Sequence, residues 1–298
     1  MKSYIFPLFL ALILGVVVLN LDYVTDYVAN LVSAEPEVII ENGNSYTENQ
    51  DFVYVQKSRD FVPYSKQDLL NIFYSIFDNG YDTFTFYCPS EYAACLDDIE
   101  KLTNNQTIIT DIGNYVHPFN NFTHLKVVTG SLGEVDVIVT KMYSDEMIDA
   151  INKKLDRIFD EQLNSEMTLE DKVLKIHDYI IDTTYYDQED GENSGNAYGT
   201  LIEGKSKCAG YADAMAIALS RLGIKNYKVA SEKHVWNAVY IGDEWSQIDL
   251  TWDDPIVQDG AVVTDTIRHK FYMINTDTLL SYDTSEHNFD KNVYIELR

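Results

Sequence analysis

The stretch "GKSKCAGYADAMAIALSRLGI" (residues 204–224) decides how this chain is read. After Cys208, the residues Ala212, Met215, Ala216, Leu219 and Leu222 recur at three- and four-residue steps. That is the buried stripe of a helix ending at Gly223. Cys208 falls at or just before its first turn, where unpaired backbone N–H groups carry partial positive charge. A thiolate is stabilised in that position, which makes it a competent nucleophile. Lys205 and Lys207 add positive charge close by. Ala209, Gly210, Ala212, Ala214, Ala216 and Ala218 are small and permit close approach of another element. A buried cysteine capping an ordinary Ala-rich helix fits this stretch equally well.

A nucleophilic thiol needs a base. Of the six histidines, His234 opens "HVWNAVYI" (234–241), which reads as a strand. "GDE" turns the chain, and "WSQIDLTW" (245–252) reads as the returning strand. With Gly242-Asp243 as a two-residue loop, Ile241 faces Glu244, His234 faces Thr251 and Asp249 faces Trp236. Side chains repeat every two residues on one face, so His234 and Asp249 share a face on diagonal positions. Even loop lengths keep them together and odd ones separate them. A carboxylate there holds the imidazole by one N–H and leaves the other nitrogen for the thiol. A polar strand-edge role for His234 and a turn role for Asp249 are the competing readings.

The other histidines have weaker cases. His177 lies in a helical pattern beside Ile176 and Ile180 and reads as structural, and His117 precedes a proline. His124, His269 and His287 show no partner pattern. No metal is expected, because the cysteines lack Cys-x-x-Cys spacing and no His-Glu-x-x-His occurs. "DQEDGEN" (187–193) lacks the order of a calcium loop and reads as a solvated acidic loop. There is no Gly-rich phosphate cradle, and no cofactor is expected.

The chain carries 48 acidic residues against 22 Lys and Arg, a formal charge of −26. That excess repels phosphate backbones and excludes nucleic acid as a partner class. It also disfavours a basic face on anionic lipid. Ser3 to Leu21 is free of charge and mostly apolar, behind Met1-Lys2. It reads as a signal peptide or an uncleaved anchor, with membrane contact at the N-terminus and an extracytoplasmic body. Cys88 and Cys95 are spaced for a local disulfide, which would leave Cys208 as the free thiol; both reduced and buried is the alternative.

The expected organisation is a signal or anchor over 1–33, a linker over 34–50, an α+β domain over 51–143 and a catalytic domain over 144–298. In the first domain, 51–55 and 81–88 read as strands, 65–80 and 90–102 as helices, and "HLKVVTG" and "EVDVIVTKMY" as strands joined by "GSLG". Helices capped by Ser144 and Thr168 follow.

"AYGTLIEGKSKCAGYADAMAIALSRLGI" followed by "HVWNAVYIGDEWSQIDLTWDDP" resembles the transglutaminase-like superfamily, densely over 197–255. The resemblance implies a papain-like α+β core, with a nucleophile helix packed on an antiparallel sheet. It implies Cys208 as nucleophile, His234 as base and Asp249 as orienter. Trp236, Asn237 and Trp252 would support them, and Tyr198 would be a second oxyanion donor beside the Cys208 N–H. Ser206 and Lys207 depart from the small residues many members carry before the cysteine. The implied chemistry is attack on a carboxamide or peptide carbonyl of a protein or cell-wall peptide. Water or a lysine amine then accepts the acyl group. A catalytically silent peptide- or wall-binding module is the rival expectation.

Overall fold

The computed structural model describes Val38 and residues 43–48, 50–254, 268–283 and 285–298. The expected N-terminal hydrophobic helix lies outside them. No helix among the described residues is long and apolar enough to cross a membrane.

Helix α1 (Lys66–Asp78) starts where Ser65 Oγ accepts the Asp68 N–H, as its Ser-x-x-Asp pattern dictates. Its apolar stripe, including Leu69, Ile72, Phe73 and Phe77, is buried. Strands β1 (Thr83–Tyr87), β2 (Phe122–Thr129) and β3 (Glu134–Lys141) form an antiparallel sheet in the order β1-β3-β2. The β2–β3 turn is tight, and Leu132 and Gly133 both take positive φ. Helices α2 (Cys95–Thr103) and α3 (Gln106–Asn114) lie between β1 and β2 in sequence.

Two expectations in this region are corrected. Residues 51–55 form no strand. Phe52 instead donates its N–H to Val55 O, and its ring is buried against Tyr115 and Tyr227. Burial of the two apolar residues, rather than ladder pairing, explains the alternation there. The expected helix over 90–102 begins only at Cys95, because Cys95 is bonded to Cys88 and the intervening turn must close that bridge. The disulfide reading of these two cysteines is therefore the one observed.

Helices α4 (Asp145–Gln162) and α5 (Leu169–Thr183) follow, capped by Ser144 and by a Thr168–Asp171 capping box. A short parallel pair, β4 (Tyr185–Tyr186) and β5 (Lys205–Ser206), brackets an acidic loop and a π-turn (Gly199–Glu203). Helix α6 (Cys208–Arg221) is buried along almost its whole length. That fits its small-residue composition, since a helix apolar all round belongs inside. It packs on β6 (Asn226–Ala230) and β7 (Val235–Ile241) on one side, and on α5 and the π-turn on another. Strand β8 (Glu244–Ile248) completes an antiparallel sheet ordered β6-β7-β8.

Residues Glu41–Arg298 make one compact unit. The expected boundary at 143/144 falls inside it, and polar bonds cross that line. Asp213 of α6 accepts from Tyr143 Oη at 2.6 Å and from Asn121 Nδ2, while Lys228 Nζ of β6 lies 2.6 Å away. Helix α3 also packs on β6.

Candidate active site

Cys208 is the first residue of α6, and its N-cap Lys207 supplies no side-chain cap. The first-turn N–H groups are thus not taken up by their own cap. Helix α6 can start this close to the preceding loop because residue 210 is glycine. A Cβ on Gly210 would sit 2.3 Å from Ser206 Oγ, 2.7 Å from Ser194 O and 2.8 Å from Asn196 O. The two carbonyls are backbone and cannot rotate aside. Gly210→Ala is therefore expected to cost about 1–3 kcal/mol of stability. It should slow Cys208 chemistry about 100-fold through displacement of the sulfur. Thermal melts and thiol-alkylation rates check both.

Ser206, which departs from the family pattern, is buried and donates to Lys207 O at 3.0 Å. Its hydroxyl shares a 2.7 Å bond with Thr200 Oγ1. The expected positive field of the two lysines is offset. Lys207 pairs with Asp190, and Lys205 lies over the Tyr185 ring. The acidic loop is not merely solvated: Asp187 is buried and accepts N–H bonds from Glu189 and Gly191 and a hydroxyl bond from Ser194.

His234 immediately precedes β7 and is buried. The β7–β8 register pairs Ile241 with Glu244 and Asn237 with Ile248, as the two-residue loop predicts. Gly242 and Asp243 both take φ of +64°, the left-handed pair a type I′ turn requires. The returning strand is shorter than expected, however. It ends at Ile248, and Asp249 N-caps a short helix α7 (Leu250–Asp253). Asp249 Oδ1 accepts the N–H groups of Thr251 and Trp252 at 3.0 and 3.2 Å, and this local competition stops the strand.

Asp249 Oδ2 lies 2.6 Å from His234 Nε2. That leaves Nδ1 without a carboxylate partner, and the ring feels the Cys208 thiol, which favours its charged form. Burial alone would push the His234 imidazole down. The Asp249 carboxylate and the Cys208 sulfur reverse that and raise it to about 10. Burial likewise opposes ionisation of Asp249, but the two imidazoles beside it bring its carboxyl below the ordinary value.

Stability linkage follows with a definite sign. A folded-state pKa raised from 6.5 to about 10 means that His234 stabilises the fold fully below about pH 6.5. That contribution is lost as pH rises through about 10. The melting temperature is expected to fall between pH 7 and 10, and to fall less in His234→Gln.

Trp236 is buried, stacks on His234 at 5.7 Å and donates Nε1–H to Gln247 Oε1. Asn237 donates to Ala212 O at 2.9 Å and so ties β7 to α6. Trp252 is half-exposed over the site. Tyr198 donates its N–H to Asn196 Oδ1, and its side chain is partly buried against the core. The phenol that feels the charge of Cys208 is Tyr186 of β4. Burial raises its pKa, as do Cys208 and Glu286.

Sequence reasoning missed three residues. His287 is fully buried, and its Nε2 lies 2.8 Å from the same Asp249 Oδ2. Its Nδ1 lies 3.0 Å from Asp283 Oδ2. Asp283-x-Ser-x-His was legible as an Asx-type turn, because Asp283 also accepts from Ser285 and Glu286 N–H. Its arrival at Asp249, 38 residues away, was not legible. Tyr186 is the third, hidden in a two-residue strand. His177 is fully buried, and its two ring nitrogens face Asp178 and Asp253 at 3.2 Å each.

The model of the transglutaminase-like superfamily matches residues 156–250. No curated protein sequence matches the chain. Among solved structures, one titled as the crystal structure of a TGase aligns over 51% of this chain and 50% of its own, at 15% identity and TM-score 0.35. A putative cysteine protease from Cytophaga hutchinsonii aligns over 43% and 61%, at 15% identity and TM-score 0.29. Menin, in a structure titled for its binding site for the Mixed Lineage Leukemia protein, aligns over 43% and 31%, at 18% identity and TM-score 0.30. The chain thus spans half the length of the first of these structures.

Proposed function

We propose that the chain, whose residues 156–250 match the model of the transglutaminase-like superfamily, is a thiol enzyme that transfers acyl groups from a carboxamide or peptide carbonyl. The observation that supports this most directly is the buried His234, bonded to Asp249 at 2.6 Å and stabilised in its charged form by Asp249 and the Cys208 thiol. Cys208 attacks the carbonyl carbon as thiolate. The oxyanion forms beside the Cys208 N–H at the helix start, and the Tyr186 phenol is the nearby side-chain donor. His234 gives its proton to the leaving nitrogen, and a thioester remains on Cys208. Water or an amine then attacks the thioester, His234 takes up the acceptor's proton, and the thiol pair is restored. Water as acceptor makes an amidase or peptidase, and a lysine amine makes a crosslinker. We favour hydrolysis, since water needs no second binding site.

The substrate class we propose is a protein or cell-wall peptide outside the cytoplasm. The Cys88–Cys95 disulfide supports an oxidising compartment. Iodoacetamide titration tests the thiol. Cys208 should alkylate faster at pH 7 than a free thiol, and more slowly in His234→Ala. Free-thiol rates in both would instead fit a silent binding module. Mass spectrometry of a glutamine peptide with a primary amine tests the acceptor, with deamidation expected to exceed amine incorporation.

A further inference from the structure

Asp249 has more donors than an orienting carboxylate needs. Its Oδ1 is held by two backbone N–H groups of α7, which fix the side chain without outside help. Its Oδ2 then receives both His234 Nε2 and His287 Nε2, at 2.6 and 2.8 Å. The two rings meet edge to face, with centroids 5.3 Å apart.

The placement of His287 follows from its partners. Burial opposes ionisation of Asp283, but hydrogen bonds from Ser285, from the Glu286 N–H and from His287 hold its carboxyl well below the usual range. Ionised carboxylates only accept. Each His287 nitrogen faces a carboxylate oxygen, one of Asp249 and one of Asp283, so the ring bridges the two acids. Trp236 and Trp252 stand edge-on to it and Phe271 stacks on it, which keeps water from the shared oxygen.

We infer that His287 acts through Asp249 on His234: by sharing one carboxylate oxygen, it limits how tightly Asp249 holds the proton of the base. It touches Asp249 and not the reacting atoms, so it is a positioning residue. The inference rests on His234 being the base of the proposed reaction. A general acid works best when its affinity for protons matches the working pH. A buried carboxylate with no other partner would hold the imidazolium too firmly to release its proton to a leaving amine. The other groups that bear on this pair are Cys208 on α6, Tyr186 on β4, Asp253 on α7, and Asp283 and Glu286 in the C-terminal segment.

The sign of the effect separates this role from simple scaffolding. In full-length Cys208→Ala, no thiolate props up the imidazolium. The His234 ring resonances, assigned by their loss in His234→Gln, are followed against pH by NMR. Adding His287→Leu is expected to raise the His234 midpoint by about one unit, tenfold in proton affinity. His287→Gln keeps an amide N–H for Asp249 and should shift the midpoint the same way by less. Unchanged or lowered midpoints would overturn the inference, since mere scaffolding predicts a weakened His234–Asp249 bond. Failure of both variants to fold would assign His287 to stability and overturn it as well. The measurement does not involve the thiol. Free-thiol reactivity of Cys208 in the unaltered chain would remove the enzyme reading and leave this coupling in place.

Discussion

Asp249→Asn is expected to keep the fold and lower kcat/KM by about 10⁴-fold, as loss of a triad carboxylate does. The reason is a shortage of acceptors. Asp249 meets four donors: the Thr251 and Trp252 N–H groups on one oxygen, and the His234 and His287 rings on the other. Asparagine offers one oxygen and one NH₂. With the oxygen kept on the helix, its NH₂ faces both imidazoles and drives His234 into the tautomer that cannot take the thiol proton. With the amide flipped, the NH₂ faces the backbone N–H groups and loosens the α7 cap, at a cost of about 1 kcal/mol. Steady-state kinetics and a thermal melt of the same sample measure both effects. A loss below tenfold would remove Asp249 from the machinery.

Lys228→Met should be the most damaging change to stability, costing about 3–5 kcal/mol, because it strands a buried carboxylate. Asp213 and Lys228 are both buried, and their charged atoms lie 2.6 Å apart. Tyr143 and Asn121 still donate to Asp213 but carry no charge. Adding Asp213→Leu should restore part of the loss, since no charge is then left buried without a counter-ion, although the Tyr143 hydroxyl and the Asn121 amide lose their acceptor. Urea midpoints of the two single variants and the double variant decide it. The damage should spread along the chain, because Asp213 sits on the helix that Cys208 opens and Asn121 and Tyr143 come from the segment that precedes it.

Local rules explain what the sequence made legible. The α6 stripe, the Ser65, Ser144 and Thr168 caps and the Gly242-Asp243 turn each depend on neighbours within a few residues. The pairing of His234 with Asp249 was readable because strand parity carries that local information across a hairpin. Parity fails where a side chain competes with the ladder, which is why Asp249 was placed on a strand although it caps a helix. Residues 51–55 misled for a related reason: their alternation records burial of Phe52 and Val55 against distant aromatics, not pairing. The approach of His287 to Asp249 and of Tyr186 to Cys208 was out of reach because chain paths that no local pattern encodes bring them together.

The length of the Gly242-Asp243 turn sets the seating of the whole returning strand. A single residue inserted there that slipped β8 by one place would exchange the faces of buried Gln247 and Ile248 and move Asp249 away from His234 in the same step, so body and site would be disturbed together.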